Sequence, residues 1–193
     1  MNQKDKDVLK FLTVIVALCI IVHIFNVMMS GTLSRYGLFP RQYTHAFGLV
    51  TYPYIHGSWA HLISNLASFS VLAFLTSRSG LSRLIAVYMI CWLGSGIGVW
   101  LFGRPHYHVG LSGIIYGIWA YLLTYAVMYR SIKSIVIAVL VMFIYGSMVW
   151  GFIPVNQWVS YESHLFGAIS GMLAGYIFAK RDKKKRMNHV SNI

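Results

Sequence analysis

Apolar residues occur along this chain in six long stretches, and short polar segments separate them. Most of the stretches approach the ~20 residues that a helix needs to cross a hydrocarbon core, and the two shorter ones can still cross when packed inside a bundle. The pattern therefore predicts an all-α polytopic membrane protein, built as one domain over residues 1–193. The predicted membrane helices cover residues 9–29, 59–76, 84–102, 111–129, 135–150 and 163–179.

Composition agrees with a membrane location. Hydrophobic residues make up 58% of the chain and charged residues 10%, whereas a soluble domain usually carries about 25% charged residues. The first helix follows three lysines, as a secretory signal would, but it is longer than the apolar part of a signal and no small-residue cleavage site follows it. We therefore keep it as a membrane helix. Cys19 and Cys91 both lie inside apolar stretches, so neither a disulfide framework nor a thiolate metal site is predicted.

The basic residues are distributed unequally between the two predicted sides of the membrane. With six helices, one side holds 13 of the 16 Lys and Arg residues, and the other holds only Arg35, Arg41 and Arg104. By the positive-inside rule, both termini are predicted to be cytoplasmic. Residues 180–193 then form a basic tail that contacts anionic membrane lipids. The net charge of +12 is accordingly a topology signal, and no nucleic-acid partner is predicted.

Polar side chains are few inside the apolar stretches, and because they are costly in a membrane they are candidates for function. His61 and Asn65 lie one turn apart on the second predicted helix, Ser112 and Tyr116 on the fourth, and His164 near the start of the sixth. These three helices run in the same direction, so the five residues are predicted at similar depth near the outer side. One polar pocket that opens outward can gather them.

Glycine spacing indicates how the fourth and sixth helices meet. Small residues at every fourth position let two helix backbones approach closely in lipid, and such an approach brings Ser112 Oγ within reach of the His164 imidazole. Each feature alone is more often structural, because a membrane serine commonly bonds a carbonyl of its own helix. Their matching depths on three parallel helices favour a site. The glycines concerned are Gly113 and Gly117 on one helix and Gly167, Gly171 and Gly175 on the other.

Three motifs in this order resemble those of the rhomboid intramembrane serine proteases. They are HGSWAHLISN at 56–65, GLSG at 110–113 with Tyr116 after it, and SHLFGAISG at 163–171. The resemblance covers all six predicted helices and implies a six-helix rhomboid-like bundle of the minimal bacterial type. It further implies a multi-pass protein of the bacterial inner membrane that cleaves membrane-anchored proteins near the outer face, with no metal and no cofactor.

The resemblance also assigns roles to individual residues. Ser112 is implied as the nucleophile and His164 as its general base, with the Tyr116 ring stacked on the imidazole. The oxyanion is implied to be bound by His61, Asn65 and the Ser112 backbone N–H, with Gly110 and Gly113 giving backbone and substrate room to approach. His56 matches an upstream histidine of the family. One departure is clear: the Trp-Arg pair common in the first outer loop is absent, and residues 45–52 read HAFGLVTY.

The sequence disfavours three alternatives to a protease. A transporter is disfavoured because no inverted repeat and no intramembrane acid is evident. A metal enzyme using His56, His61, His106 and His108 is disfavoured because no HExxH motif is present, and His106 and His108 are expected at the surface of an outer loop. An inactive rhomboid-like binding protein is disfavoured because the serine and histidine are both present.

Elimination among the acidic residues predicts a dyad rather than a triad. Of the four acids in the chain, only Glu162 lies on the outer side. It precedes His164 by two positions, which point to different helix faces. We therefore expect Glu162 to favour the helix N-terminus instead of orienting the imidazole.

Overall fold

The structure is a computed structural model that describes residues 2–154 and 159–190. Helices dominate both ranges, and the β-structure described there is one isolated bridge between Leu38 and His108. The prediction of an all-α bundle is confirmed. The helices are α1 (Gln3–Met28), α2 (Gly48–Thr51), α3 (Trp59–Ser77), α4 (Leu81–Phe102), α5 (Ser112–Tyr129), α6 (Ile132–Tyr145) and α7 (Tyr161–Val190).

Several helices begin or end at other residues than the apolar pattern indicates. α1 begins at Gln3 because the Asn2 side chain accepts a hydrogen bond of 2.9 Å from the Asp5 N–H and caps the first turn. α7 continues to Val190 because Lys and Arg are good helix formers. The predicted tail 180–193 is thus helical as far as Val190, and residues 191–193 lie outside the described residues. α6 ends at Tyr145, and a 3₁₀ segment at Gly146–Phe152 follows it.

Five helical segments of the described chain are long and apolar enough to cross a membrane. They are Gln3–Met28, Trp59–Ser77, Leu81–Phe102, Ser112–Tyr129 and Ile132–Phe152. α7 is less apolar because its first turn holds Glu162, Ser163 and His164 and because its C-terminal part contains the basic run from Lys180 to Arg186. Its packing nevertheless places it inside the bundle, with its most extensive contacts to α5 and α4. The polar first turn is the part of α7 that contributes to the candidate site.

α5 is the central helix of the bundle. It contacts α3, α4, α6 and α7, and eleven of its 18 residues are buried. α6 is the opposite case, because most of its apolar side chains face outward and Phe143 is 88% exposed. A membrane protein can leave such a face to lipid, since lipid tails are as apolar as the side chains. The residue that begins α5, Ser112, therefore lies on the most enclosed helix.

α5 and α7 touch through their backbones at glycines. A Cβ atom added at Gly167 would overlap the carbonyl group of Gly113, and one added at Gly171 would overlap the carbonyl group of Gly117. One turn further, a Cβ at Gly175 would lie 3.0 Å from the Tyr121 carbonyl oxygen. Side chains at these positions would push the helices apart. The close approach brings the first turns of α5 and α7 together at one end of the bundle.

The loop between α1 and α3, which the sequence predicts on the outer side, folds into short helical turns. Its segments are Thr32–Tyr36, Tyr43–His45, α2 and Tyr52–Tyr54. Two hydrogen bonds of 2.9 Å attach it to α4, from the Trp92 indole N–H to the Leu49 carbonyl and from the Tyr52 hydroxyl to the Trp92 carbonyl. The region reading HAFGLVTY is therefore fixed to the bundle by contacts of its own.

Candidate active site

Ser112 and His164 lie in hydrogen-bond contact at one end of the bundle. Ser112 is the first residue of α5 and His164 lies in the first turn of α7. The distance from His164 Nε2 to Ser112 Oγ is 2.9 Å. The imidazole is largely buried, with 7% of the residue exposed. This is the spacing that a base needs in order to take a proton from a hydroxyl.

The other imidazole nitrogen binds a backbone carbonyl. His164 Nδ1 lies 2.8 Å from the carbonyl oxygen of Gly151. Because a carbonyl only accepts, the proton of the neutral ring must be on Nδ1, and the lone pair is then on Nε2 facing Ser112. The carbonyl thus selects the tautomer that can act as a base. Glu162 does not make this contact, since its carboxylate binds Arg104.

Tyr116 lies flat against the His164 ring. The ring centroids are 3.9 Å apart and the planes differ by 3°. The Tyr116 hydroxyl donates a hydrogen bond of 2.9 Å to the Met148 carbonyl, which fixes the aromatic ring in turn. A Cβ atom at Gly151 would overlap the Tyr116 hydroxyl. Gly151, which the sequence did not single out, therefore allows both the stacking and the hydrogen bond to Nδ1.

His61, Asn65 and Gly110 form one wall beside Ser112. Gly110 has a φ of +113°, and a Cβ atom there would lie 2.8 Å from His61 Nε2 and 3.4 Å from Asn65 Nδ2. The site thus requires glycine here for both its backbone conformation and the space. Asn65 Nδ2 is buried and donates to no atom of the described residues. Such an amide can bind an oxygen that a substrate brings.

The start of α5 adds further donors to this wall. The first N–H groups of a helix have no partner within the helix, and the helix dipole makes this end electropositive. The Leu111 N–H, just before Ser112, lies 3.5 Å from His56 Nε2. His56 is fully buried, and burial lowers the pKa of its imidazole to about 3. A neutral His56 ring can accept a hydrogen bond from the backbone N–H of Leu111, the residue before Ser112.

Two polar residues of α1 reach the same region. His23 Nδ1 lies 3.0 Å from the His56 carbonyl oxygen, and Asn26 Nδ2 donates to that oxygen over 3.3 Å. Both side chains are almost fully buried. Sequence reasoning missed this pair, although the cost of polar groups in a membrane applies to α1 as it does to the other helices. Their spacing of three positions on one helix face was the available signal.

His108 corrects an expectation from the sequence. The prediction that His106 and His108 lie at a loop surface is wrong for His108, which is 1% exposed. Burial is possible because both ring nitrogens have partners: Nε2 lies 3.0 Å from the Arg104 carbonyl oxygen and Nδ1 lies 2.6 Å from Ser160 Oγ. Its backbone also pairs with Leu38 in both directions, at 2.8 and 2.9 Å.

The expectation that Glu162 only favours the helix N-terminus is incomplete. Its carboxylate forms an ion pair with Arg104. Glu162, His106 and His108 place atoms that could bind a metal within 4.8 Å of one another. However, both carboxylate oxygens already accept hydrogen bonds from the Arg104 guanidinium, whose positive charge opposes a cation. The described contacts therefore favour an ion pair over a metal site.

Comparison with known proteins agrees with the motifs. A model of the Rhomboid domain matches residues 40–181. Uncharacterized proteins of Mycobacterium tuberculosis and Mycobacterium leprae are each 34% identical, over 180 and 179 residues, covering 89% and 88% of this chain and 75% and 71% of the relatives. RHOMBOID-like protein 1 of Arabidopsis thaliana is 28% identical over 149 residues, 75% of this chain and 37% of that protein. The chain therefore belongs to the rhomboid family.

Proposed function

We propose that this chain is an intramembrane serine protease that hydrolyses peptide bonds of membrane-anchored proteins near the outer membrane face. The observation that carries the proposal is the pair of contacts made by His164. Nε2 lies 2.9 Å from Ser112 Oγ, while Nδ1 is held by the Gly151 carbonyl at 2.8 Å. A serine hydroxyl is a weak nucleophile until a neighbouring base activates it. Membership of the rhomboid family supports the same activity.

The contacts support a two-step reaction. His164 Nε2 takes the Ser112 proton as Oγ attacks the carbonyl carbon of the scissile bond, and a tetrahedral oxyanion forms. The imidazolium then gives this proton to the leaving amine, and an acyl-enzyme ester remains on Ser112. In the second step a water molecule gives a proton to Nε2 and attacks the ester. Collapse returns the proton to Ser112 Oγ and releases the new carboxyl terminus.

The oxyanion needs donors that are in place before the reaction begins. His61 and Asn65 lie on α3 beside Gly110, and the electropositive start of α5 faces the same space. We assign these groups to the oxyanion. The buried Asn65 Nδ2, which donates to no described atom, is the donor that gains most from a substrate oxygen.

A serine-directed probe tests the proposal. We expect a fluorophosphonate to label the purified protein in detergent and in lipid vesicles, and expect Ser112→Ala and His164→Ala to lose labelling. Ser170→Ala is the matched control, because Ser170 lies on α7 but binds the Phe166 carbonyl of its own helix at 2.8 Å. Cleavage of single-span substrate proteins in the same vesicles should follow the labelling. A folded wild-type protein that is never labelled at Ser112 would refute the proposal.

A further inference from the structure

An ion pair joins the two chain segments that lead to Ser112 and His164. Arg104 follows α4, and Glu162 lies in the first turn of α7. The Arg104 backbone N–H donates to Glu162 Oε1 over 3.2 Å, its Nη2 donates to Oε2 over 3.1 Å, and Nε donates to Oε1 as well. Both carboxylate oxygens are thus bound by one residue. The Glu162 side chain is only 5% exposed, so the pair is shielded from water on the acidic side.

Arg104 also binds the residues next to Glu162. Its Nη2 donates to the Val159 carbonyl over 3.0 Å, and its guanidinium carbon lies 4.6 Å from the centre of the Tyr161 ring. The cation therefore makes contact with residues at the start of α7. A guanidinium suits this arrangement because its donors are held in a fixed plane.

His108 makes a second connection between the same segments. Its Nε2 donates to the Arg104 carbonyl over 3.0 Å, and its Nδ1 accepts from the Ser160 hydroxyl over 2.6 Å. Ser160 Oγ in turn accepts from the Ser163 N–H over 3.2 Å, in the first turn of α7. The buried imidazole thus links the loop before α5 to the start of α7. We call the four residues Arg104, His108, Ser160 and Glu162 the outer clamp.

The outer clamp is close to the site along both segments. Arg104 and His108 precede Ser112 by eight and four positions, and Ser160 and Glu162 precede His164 by four and two. The glycine contacts between α5 and α7 fix the helices further inward. In the first turns, where Ser112 and His164 lie, Gly113 packs against Gly167 and against the Ser163 carbonyl, to which a Cβ at Gly113 would lie at 3.1 Å. The outer clamp joins the segment before α5 to the start of α7, so contacts lie on both sides of Ser112 and His164 along each segment.

We propose that Arg104 and Glu162 are positioning residues that keep the Ser112 hydroxyl and the His164 imidazole at hydrogen-bond distance and in the correct orientation. The inference rests on the proposed function, since proton transfer requires this distance and orientation. Without Arg104, the Glu162 carboxylate would be buried without a cation, and the first turn of α7 would have to move to expose it to water. Misplacing reacting groups by about 1 Å can cost about 100-fold in rate.

A double-mutant cycle tests this role. Arg104→Gln should lower kcat by about 10-fold to about 100-fold with KM little changed, and should lower the rate of fluorophosphonate labelling by a similar factor. Glu162→Gln should stay within about tenfold of wild type, because the amide oxygen still accepts from Arg104. The double variant should be faster than Arg104→Gln alone, because no unpaired carboxylate remains buried.

Arg41→Gln is the matched control. Arg41 is also an outer-loop arginine and donates to the carbonyls of Leu101 and Gly103, over 3.0 and 2.9 Å, but it has no contact with Glu162. We expect its kcat to remain near that of wild type. The positioning role is wrong if Arg104→Gln keeps wild-type kcat, if Arg41→Gln loses as much, or if adding Glu162→Gln brings no recovery. Should Arg104→Gln fail to fold, recovery of folding in the double variant supports the same coupling and its absence opposes it.

Hydrogen exchange separates this inference from the proposed function. The amides of residues 161–168 should exchange faster in Arg104→Gln than in wild type, and the double variant should restore part of the protection. This readout does not require activity. If wild type shows no labelling at Ser112, the proposed function fails while the exchange still decides whether the outer clamp orders the first turn of α7. Unchanged exchange in an active Arg104→Gln variant would overturn the outer clamp alone.

Discussion

At the scale of single residues, His164 is oriented by a neutral group. The Gly151 carbonyl fixes the tautomer, as a carboxylate does in a soluble triad, but it carries no full charge to stabilise the imidazolium. The face of Tyr116, 3.9 Å from the imidazole, is negative at its centre and can contribute part of that stabilisation. In the proposed reaction, the aromatic ring thus both holds the base and favours its charged form.

We therefore expect Tyr116→Ala to lower kcat by about tenfold or more, which corresponds to the ~1.4 kcal/mol that a close cation–π contact can supply. Tyr116→Phe keeps the stacked ring and loses only the hydrogen bond to Met148, so its kcat should stay within about threefold of wild type. Initial rates of substrate cleavage at saturation measure both variants. Equal losses in the two variants would show that the hydroxyl, and not the stacking, carries the effect.

The proposed assignment of His61 and Asn65 to the oxyanion gives a second prediction at this scale. His61→Ala should lower turnover by about 100-fold or more, as the loss of one preorganised donor does in soluble hydrolases. Asn65→Ala should also lower turnover, by a smaller factor if backbone N–H groups provide most of the stabilisation. Ser64→Ala is the control, because Ser64 lies between them on α3 and its hydroxyl binds the His61 carbonyl of its own helix. Wild-type turnover in both His61→Ala and Asn65→Ala would refute the assignment.

At the scale of helices, the contact of α5 with α7 sets the depth of the site. The two backbones touch at Gly113 with Gly167 and at Gly117 with Gly171. The contact repeats after one turn, so sliding one helix along the other by less than a turn would place a carbonyl against a residue bulkier than glycine. The first turns are thereby held level, with Ser112 facing His164.

Gly171→Ala should destabilise the bundle, because the added Cβ would overlap the Gly117 carbonyl and the helices would have to separate. Overpacking of this kind costs about 1–3 kcal/mol, which thermal unfolding in detergent can detect as a lower Tm. Gly146→Ala is the matched control, since its Cβ would meet only Met142 Cε at 3.8 Å. A Tm for Gly171→Ala as high as that of the control would contradict the close contact.

Sequence alone predicted the apolar helices, and it singled out Ser112 and His164, which the structure brings to 2.9 Å. Ser112 and His164 could be found from the sequence because polar residues are rare within apolar membrane stretches. Gly151 could not be found from the sequence, since its hydrogen bond uses a backbone carbonyl and its need to be glycine depends on where the fold places the Tyr116 hydroxyl. His108 was misjudged because its burial depends on Ser160, which lies 52 residues away in a different loop.

The burial of His108 makes the folding stability of the protein depend on pH. Burial holds the pKa of its imidazole at about 4, despite the nearby Glu162 carboxylate, while Arg104 and His106 oppose its protonation. An exposed histidine in the unfolded chain titrates near 6.5, so the unfolded state binds more protons between these values. Stability should therefore fall as pH drops from about 6.5 towards about 4.

We expect the Tm in detergent to decrease over this range and to decrease less in His108→Gln, whose amide does not titrate. His56, with a pKa lowered to about 3 by burial, contributes a part that remains in the variant. Tm measured at several pH values for both proteins decides the matter. Identical slopes would show that His108 does not limit stability at low pH.

At the scale of the whole molecule, the two ends of the bundle differ in charge. The end opposite the site holds an ion pair between Arg83 and Asp182 at 3.0 Å, with the Tyr125 hydroxyl donating to the same carboxylate over 2.8 Å. Asp182 is thereby neutralised, and the surrounding lysines and arginines of α7 are left without an acidic neighbour in that run. The site end holds Arg35, Arg41 and Arg104, of which Arg104 is paired with Glu162.

This asymmetry predicts how the protein inserts. The 13 basic residues at the end away from the site should keep that end, with both termini, in the cytoplasm. Ser112 and His164 should then face the outer side. Reporter fusions after residue 193 and within the loops at Arg35 and Arg104 measure this in cells, and the two loops should report the outer side. Replacing Lys183, Lys184 and Lys185 with Gln should weaken the bias without inverting it, because ten basic residues remain. An external C-terminus in the wild-type protein would place the Ser112–His164 pair at the cytoplasmic face, and the proposed cleavage near the outer face would then be wrong.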